Sequence, residues 1–416
     1  MAQRYVWLDC DPGHDDATAL LLALHCQNIN LIGVSTVHGN AGSEFTLRNA
    51  ARCLHAFGAS SRCPDIRVYP GATKPLLRPA KHDPEIHGAD GLGGVEGLPH
   101  AESPEVERWF AKDADGAHVR ALDGIARALK QTWNNGNGHK VSIISSGPMT
   151  NIALFVAVYP DLLHAVEEFV FMGGGVGLGN RSAVAEYNIL CDPHAAQIVL
   201  DAPVKKTMIP INVTHTAIVT RAMHAQLLTS APPSLLDANT PLPKAVTNLR
   251  HTLSTLIGFF ADSYKSTFGF NDGPPLHDAL TIAYVSQPQL FHCMRYRVDV
   301  ELSGTHSSGE TVVDIWDYQG CDADIWGVGG KNCNVAQSVD VPGFFALFHD
   351  CVQRCDETSP LNPSENPLCL DLPGSPDICR ILRAIRGHLP TSAVLCPNRR
   401  RHRIESKEKT FYKATL

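Results

Sequence analysis

The amino-acid sequence predicts an α/β fold in which a mostly parallel sheet carries helices on both faces. Short apolar segments rich in β-branched residues alternate with longer segments of helical pattern along most of the chain. Several of these apolar segments end directly in acidic, amide or glycine residues. Since folds of this class bind ligands at the carboxyl ends of their strands, we expect the functional site at that edge of the sheet.

Composition excludes several other classes of protein. The chain has 416 residues and a formal net charge of −7, so no basic field indicates binding to nucleic acid or to a membrane surface. Its 13 cysteines are scattered, which favours free thiols in a reducing compartment. No secretory signal begins the chain, and no apolar run reaches the ~18 residues that a membrane span needs. We expect a cytoplasmic protein.

The first predicted unit, residues 5–24, is a buried strand, a tight turn and a helix. One or two acids at the start of a helix would simply interact favourably with its dipole. Here four acids crowd around one turn, and carboxylate oxygens are the ligands that Ca²⁺ and Mg²⁺ prefer. The sequence therefore predicts a cation site in the region of Asp9, Asp11, Asp15 and Asp16.

The rest of the chain continues the alternation of strands and helices. Further strands are predicted over residues 30–37, 66–69, 140–146, 168–172 and 205–213, with a β-hairpin over 296–302 and 311–316. Helices are predicted over residues 43–58, 117–133, 151–158, much of 222–270 and 343–354, and others begin at Asp192 and at His277.

Two groups of polar residues near predicted strand and helix ends have alternative explanations. Asn180, Glu186 and Asn188 lie within nine residues and can bind hydroxyl groups, although a polar surface loop has the same composition. His277 and Asp278 open a helix, where the acid either completes the cation site or only caps the helix.

Residues 74–104 form an irregular segment rich in glycine, proline and histidine. A segment of this length inside a domain is either a functional lid or disordered, and we expect a lid. Phosphate binding is less favoured, because no GxxxxGK[ST] pattern is present. Aromatic residues near the end of the 222–270 region belong either to the core or to a surface that stacks on a planar ring.

The character of the sequence changes near residue 355. We assign residues 1–355 to a catalytic domain and residues 356–416 to a low-complexity, disordered tail with a short helix at 377–389. The basic run at 399–403 is either a localisation signal or a solvated part of that tail.

Taken together, the motifs resemble those of the calcium-dependent, inosine-uridine preferring nucleoside hydrolases. They are DCDPGHDDA, HGN, IHGADGLGG, SSGPMTNIA, FMGGG followed by AEYN, and PPLHDAL, and they occur in the family's order across residues 5–355. GHDDA and GPPLHD are most similar to the uridine-preferring, pyrimidine branch. The resemblance implies a Rossmann-like core with the active site at the carboxyl ends of the strands.

The resemblance also implies the cofactor and the catalytic residues. Ca²⁺ would be bound by the carboxylates of Asp11, Asp16 and Asp278 and by a backbone carbonyl, which we assign to Ser146. Asp11 would act as general base on the attacking water. His277 would lie on the base side and assist the departure of the leaving group.

Substrate contacts follow from the same resemblance. Ribose would be bound at its 2′- and 3′-hydroxyls by Asp15, Asn40 and Asn188, and at its 5′ side by Asn180 and Glu186. Met172 would pack near the sugar, and Tyr264 would contact the base.

The resulting hypothesis is hydrolysis of the N-glycosidic bond of ribonucleosides, with uridine giving uracil and ribose in pyrimidine salvage. Inosine, a broad range of nucleosides or nicotinamide riboside are alternative substrates. A haloacid dehalogenase-type phosphotransferase, with Asp9 as nucleophile, is an alternative enzyme. A non-catalytic nucleoside- or calcium-binding protein is an alternative of another class. The resemblance implies a homodimer or homotetramer and no partner beyond the small-molecule substrate.

Overall fold

A computed structural model of the chain describes residues 2–230 and 240–363. The predicted tail, with its helix at 377–389 and its basic run, lies outside these residues beyond position 363. In the described ranges the strands are β1 (Arg4–Cys10), β2 (Ile29–Thr36), β3 (Val68–Pro70), β4 (Val141–Ser145), β5 (Val166–Met172), β6 (Lys206–Ile209), β7 (Phe291–Tyr296), β8 (Val298–Val300), β9 (Thr311–Val313) and β10 (Cys333–Val339).

Helices separate most of these strands along the chain. In order they are α1 (His14–His25), α2 (Ser43–Ala56), α3 (Ala59–Arg62), α4 (Pro84–His87), α5 (Pro104–Glu107), α6 (Ala121–Trp133), α7 (Thr150–Val158), α8 (Tyr187–Cys191), α9 (Pro193–Asp201), α10 (Ile211–Thr214), α11 (Arg221–Thr229), α12 (Asn248–Phe268), α13 (Ala279–Ser286) and α14 (Val341–Thr358). In the part of the chain with described coordinates, no helix has the length and apolar character needed to cross a membrane.

Eight of the strands form one sheet in the order β3-β2-β1-β4-β5-β6-β10-β7. Neighbouring strands pair in parallel, except that β7 runs antiparallel to β10 at one edge. The predicted α/β fold with a mostly parallel sheet is therefore confirmed. Strands β8 and β9 form a separate antiparallel pair, as the predicted hairpin requires.

Helices pack on both faces of the sheet because successive side chains of a strand point in opposite directions. In β1, Val6 and Leu8 contribute to an apolar cluster with residues of α1, α2, α13 and α14. Trp7 points the other way and packs with residues of α6, α7 and α9. Each face of the sheet thus has its own apolar core, and β1 is buried between the two.

The strand order reverses at β1, because β2 lies on one side of it and β4 on the other. Asp9 of β1 is in register with Ser35 of β2 and with Ser145 of β4, so the three strands end at the same level. Ligands in open α/β sheets bind in the crevice at such a reversal. The residues that follow β1 and β4 are therefore placed next to each other at the predicted site.

Some predicted elements were wrong in extent. The strand expected over residues 205–213 ends at Ile209, and α10 follows, because Pro210 has no N–H to donate to a neighbouring strand. Strand β10 was not predicted, and its partners β6 and β7 lie far away along the chain. Helix α14 continues to Thr358, past the predicted domain boundary at 355. The assignment of residues 356–416 to a separate tail stays a prediction.

Candidate active site

Three buried aspartates from distant parts of the chain meet beside the carboxyl ends of the strands. Asp15 and Asp16 lie in the first turn of α1, and Asp278 immediately precedes α13, which packs against α1. One carboxylate oxygen of each lies within 4.8 Å of the others. We call Asp15, Asp16 and Asp278 the acidic cluster.

The acidic cluster has the properties of a site for a hard divalent cation. Burial, together with the neighbouring acids, raises the pKa of Asp15 to about 8 and raises the pKa of Asp278. Within residues 2–230 and 240–363, Oδ1 of Asp15 and Oδ1 of the nearby Asp11 are buried without a hydrogen-bond partner. Buried carboxylates are stable when they are paired or bound to a metal, and oxygen donors of this kind suit Ca²⁺.

Asp16 is held in place by donors from three segments. Ser146, which follows β4, donates its hydroxyl to Asp16 Oδ1 at 2.7 Å, and the N–H of Gly13 donates to Oδ2 at 3.0 Å. In the Gly13 contact the third residue of α1 accepts the N–H of the residue before the helix, which satisfies a backbone donor where α1 begins. The side-chain amide of Asn40, after β2, lies 3.2 Å from Oδ2. The ends of β1, β2 and β4 thus converge on one carboxylate.

Asp11 lies beside this arrangement, and its own N–H donates to Asp16 Oδ1 at 3.3 Å. Its Oδ2 accepts the backbone N–H of Asn40 at 2.8 Å. Two glycines make room for it: a Cβ would stand 2.3 Å from Oδ1 at Gly147 and 1.9 Å from Oδ2 at Gly39. Burial raises the pKa of Asp11 well above its usual value. The acidic cluster thus contains Asp15, which was predicted to bind ribose, and does not contain Asp11, which was predicted to bind Ca²⁺.

Asp9 has structural contacts, although the sequence predicted it to lie in the region of the cation site. Its Oδ1 accepts the hydroxyl of Ser35 at 2.5 Å and the side-chain amide of Asn151 at 2.8 Å. These bonds connect β1 with β2 and α7. Oδ1 of the carboxylate that a phosphotransferase would use as nucleophile therefore holds the sheet edge together, while Oδ2 is buried without a hydrogen-bond partner among the described residues.

One cavity is lined by two members of the acidic cluster, Asp15 and Asp278, and by most predicted substrate contacts. Its lining includes these predicted residues: Asp15, Asn40, Ser146, Met172, Asn180, Glu186, Asn188, Tyr264, His277 and Asp278. Of the predicted site residues, only Asp11 and Asp16 lie outside that lining, and both contact Asn40 at its edge.

Side chains on the predicted ribose-binding side form hydrogen bonds with the backbone. The amide of Asn188 donates to the carbonyl oxygens of Ser146, at 2.9 Å, and of Met172, at 3.1 Å. Glu186 accepts the N–H groups of Gly174 and Asn188, each at 2.9 Å, and caps α8. Burial raises the pKa of Glu186 to about 7 against the effect of these donors. The Ser146 carbonyl, predicted to bind Ca²⁺, is the group that Asn188 contacts.

His277 forms the centre of a second polar group in the cavity. Its Nδ1 lies 2.7 Å from the hydroxyl of Thr214, and its Nε2 lies 2.6 Å from the hydroxyl of Tyr264. Burial, with a contribution from His215, lowers the pKa of His277 well below its usual value. A neutral imidazole between two hydroxyls can accept a proton on one side and donate one on the other.

Several cavity residues were not predicted to be functional. His87 lies within the IHGADGLGG motif, but nothing in the motif indicated that its side chain would be buried in the cavity beside Ile86. Asp83 and Arg181 also line it. Phe268 lines it as well and is one of the aromatic residues expected either in the core or against a planar ring. Ordinary charged residues in loops give no signal of their own, and their positions follow only from the tertiary structure.

Comparison with known proteins identifies the family. The family model for inosine-uridine preferring nucleoside hydrolases matches residues 6–346. The chain is a nucleoside hydrolase. It therefore belongs to a family of metal-dependent enzymes that act on the N-glycosyl bonds of ribonucleosides, which confirms the resemblance seen in the motifs and excludes the phosphotransferase.

Curated relatives agree with this assignment. This nucleoside hydrolase is 36% identical over 353 residues to a probable ribonucleoside hydrolase of Dictyostelium discoideum, covering 84% of this chain and 94% of the relative. It is 35% identical over 347 residues to the pyrimidine-specific ribonucleoside hydrolase RihA of Escherichia coli O8, covering 83% and 97%.

A solved structure supports the same fold. The purine-preferring ribonucleoside hydrolase from Gardnerella vaginalis matches the nucleoside hydrolase with a TM-score of 0.70 at 26% identity, covering 86% of this chain and all of that one. The similar proteins thus include one named for pyrimidines and one named for purines. They establish ribonucleosides as the substrate class of the family without deciding between the two kinds of base.

Proposed function

We propose that this nucleoside hydrolase uses Ca²⁺ to hydrolyse pyrimidine ribonucleosides, with uridine giving uracil and ribose in pyrimidine salvage. The observation that carries the proposal is one cavity that joins a buried acidic cluster to the His277–Tyr264 hydrogen bond. Relatives named pyrimidine-specific support the base preference at 35% identity.

The acidic cluster, with Asp11 and the carbonyl oxygen of Ser146, would hold the cation. Bound Ca²⁺ would supply Lewis acidity, which makes water more acidic and orients the ribose hydroxyls. Mg²⁺ is smaller and demands a stricter octahedron, so a group of carboxylates from separate segments favours Ca²⁺.

Asp11 is the proposed general base. It accepts a proton from the water that attacks C1′ of the ribose. The Asn40 N–H and the absence of side chains at Gly39 and Gly147 keep its carboxylate in one orientation. Such orientation reduces the entropy lost on reaching the transition state.

Ribose is positioned by amide and carboxylate groups. Asp15, Asn40 and Asn188 are proposed to bind the 2′- and 3′-hydroxyls, and Asn180 and Glu186 the 5′ side. Met172, whose Sδ is 3.5 Å from the Asn188 amide, would pack against the sugar. Because these groups are fixed to backbone, their binding energy can favour the flattened, oxocarbenium-like sugar of the transition state.

His277 and Tyr264 are proposed to assist the leaving base. As the bond between C1′ and the base nitrogen breaks, the base gains negative charge. A hydroxyl or imidazole N–H that donates to the base relieves this charge. His277 can regain a proton through the Thr214 hydroxyl, because Thr214, His277 and Tyr264 form a chain of hydrogen bonds.

Release of base and ribose tests the proposal. Uridine, cytidine, inosine and adenosine are incubated with the purified enzyme without phosphate, with and without EGTA, and with Ca²⁺ or Mg²⁺ added back. We expect ribose from uridine, its loss with EGTA and its recovery with Ca²⁺. Preferential cleavage of inosine would keep the mechanism and overturn the base preference. Folded, Ca²⁺-loaded protein that cleaves none of them would favour a non-catalytic binding protein.

The homodimer or homotetramer and the cytoplasmic location remain proposals that rest on family resemblance and composition. Size-exclusion chromatography with light scattering measures the first, and cell fractionation the second.

A further inference from the structure

The cavity that holds the candidate site is called the active-site cavity below. Asp83 and Arg181 form a partly buried ion pair in its wall. Nε of Arg181 donates to Asp83 Oδ2 at 3.0 Å, and its Nη2 donates to Oδ1, so the two planar groups meet through two parallel hydrogen bonds. The Arg181 side chain is 19% exposed and that of Asp83 is 10% exposed. Water therefore screens this pair less than a surface pair.

The pair connects segments that carry different parts of the site. Asp83 precedes α4, which ends at His87, and Arg181 directly follows Asn180. The guanidinium carbon of Arg181 also lies 5.4 Å from the centre of the Phe268 ring at the end of α12. The ion pair thus extends from the proposed 5′ side of ribose towards the aromatic residues near Tyr264.

Asp83, Arg181 and Tyr187 separate the active-site cavity from a second recess, because all three line both. Lys81 and His82 line that outer recess and are exposed. A group attached to the 5′ carbon of a nucleoside would therefore point from Asn180 and Glu186 towards this wall. Lys81, His82 and the acid Glu85 lie on its far side.

A guanidinium group is well suited to bind a phosphate through two parallel hydrogen bonds. In this enzyme Asp83 already occupies that face of Arg181. We propose that Asp83 and Arg181 make the enzyme reject nucleoside 5′-phosphates, because Asp83 blocks the arginine's phosphate-binding face and places a negative charge at the 5′ side. The proposal rests on the assignment of Asn180 and Glu186 to that side.

Two substitutions distinguish the effect of the Asp83 charge from the effect of opening the cavity wall. Asp83→Asn keeps the shape of the side chain but removes its charge, which leaves Arg181 free to pair with a phosphate. Arg181→Met breaks the same ion pair without leaving a cation. Glu85→Gln is the matched control, because Glu85 is a 75% exposed acid near Arg181, at 3.9 Å, that lines the outer recess but not the active-site cavity.

The measured quantity is release of uracil from uridine and from uridine 5′-monophosphate, as the ratio of the two kcat/KM values. We expect Asp83→Asn to raise the nucleotide-to-nucleoside ratio by about tenfold or more, as a new charged hydrogen-bonded pair would. Arg181→Met should not raise it, and Glu85→Gln should keep it within about twofold of wild type, as expected for an exposed charge.

Binding of the sugar product gives a second readout that does not need turnover. Ribose 5-phosphate and ribose are each added during thermal unfolding, since a bound ligand raises Tm. We expect ribose 5-phosphate to raise the Tm of Asp83→Asn more than ribose does, and the wild type to show the reverse order. This comparison still tests the proposal if Asp83→Asn no longer cleaves nucleosides.

An unchanged ratio and unchanged Tm order in Asp83→Asn would overturn the proposal. An equal gain in Arg181→Met would also overturn it, because the pair would then exclude nucleotides only by closing the wall. If wild type cleaves inosine rather than uridine, inosine and its 5′-monophosphate replace the pyrimidine pair. A wild type that cleaves no nucleoside refutes the proposed function, whereas one that cleaves nucleosides without the Asp83→Asn effect refutes this inference alone.

Discussion

The imidazole of His277 and the phenol of Tyr264 are joined by a 2.6 Å hydrogen bond inside the active-site cavity. Tyr264 lies near the end of α12, and His277 stands two residues before α13. Because burial lowers the pKa of His277, its ring is neutral near pH 7 and has one donor and one acceptor nitrogen. The hydrogen bond connects the end of α12 to the acidic cluster, because Asp278 is the residue after His277.

His277→Ala should slow turnover far more than it weakens binding of the sugar. The change removes the group that supports proton donation to the base but leaves the ribose contacts intact. We expect kcat to fall by about 10²–10⁴-fold, as for loss of general acid catalysis, and inhibition by ribose to change little. Tyr264→Phe should show the same pattern with a smaller loss.

Thr216→Val is the control for this pair, because the Thr216 hydroxyl bonds to the carbonyl of Val213 and not to His277. Steady-state kinetics with uridine measures all three variants. An unchanged kcat in His277→Ala would remove His277 from leaving-group activation.

Asp11 and Asp9 are expected to respond differently to substitution. Asp11→Ala removes the proposed base beside the acidic cluster, so hydrolysis should fall at least about 10³-fold while the far-ultraviolet circular dichroism stays that of the wild type. Asp9→Asn keeps an oxygen that can accept from Ser35 and Asn151, so most activity should remain. Near-normal turnover in Asp11→Ala, or complete loss in Asp9→Asn, contradicts these roles.

Removal of the cation should lower stability as well as activity. A ligand that binds only the folded state adds about 2.7 kcal/mol to the free energy of unfolding at 100 times its Kd. We therefore expect EGTA to lower the Tm of wild type, and saturating Ca²⁺ to restore it.

The matched variant is Asp278→Asn, which keeps the size of a buried residue of the acidic cluster and removes one charge. Its Tm should respond less to Ca²⁺, and its Tm in EGTA should exceed that of wild type, because two carboxylates repel less than three. Differential scanning fluorimetry across a Ca²⁺ titration measures both. Equal Ca²⁺ responses in the two proteins would exclude the acidic cluster as the binding site.

Glu186 should make the enzyme less stable as pH rises. Burial raises its pKa from 4.5 to about 7, so between these values the folded state binds more protons than the unfolded state. The contribution of protonated Glu186 to the free energy of unfolding is fully present below pH 4.5 and is lost as pH rises to about 7. The free energy of unfolding falls by about 3 kcal/mol over this range.

Glu186→Gln isolates this effect, since glutamine does not titrate. The free energy of unfolding in urea, measured in EGTA from pH 4.5 to 7.5, should fall in wild type relative to Glu186→Gln over this range. If the free energy of unfolding of wild type stayed constant or rose with pH relative to that of Glu186→Gln, the raised pKa would be contradicted.

Much of the site was predictable because its residues belong to short motifs at strand ends. Asn40 follows β2, and Ser146 follows β4, so a parallel sheet brings both to Asp16. The family's motifs also pointed to His277 and Asp278, although nearly the whole domain separates them from α1. The roles of these residues remain predictions until the variants are measured.

Other features had no sequence signal. The separation of Asp9 from the other acids depends on Ser35 and Asn151, which reach it from β2 and α7. Strand β10 enters the sheet between β6 and β7, and neither neighbour is close to it along the chain. The Asp83–Arg181 pair joins two loops with no motif in common.

The sequence by itself determined the α/β class, the family and most of the residues that line the active-site cavity. These depend on local patterns: the period of apolar residues, turn residues, and motifs in a fixed order. Only the tertiary structure decided which acids face one another, which hydroxyls contact His277 and which residues form the cavity wall. Such contacts join segments far apart in the chain, and their distances follow from packing of the whole sheet and its helices.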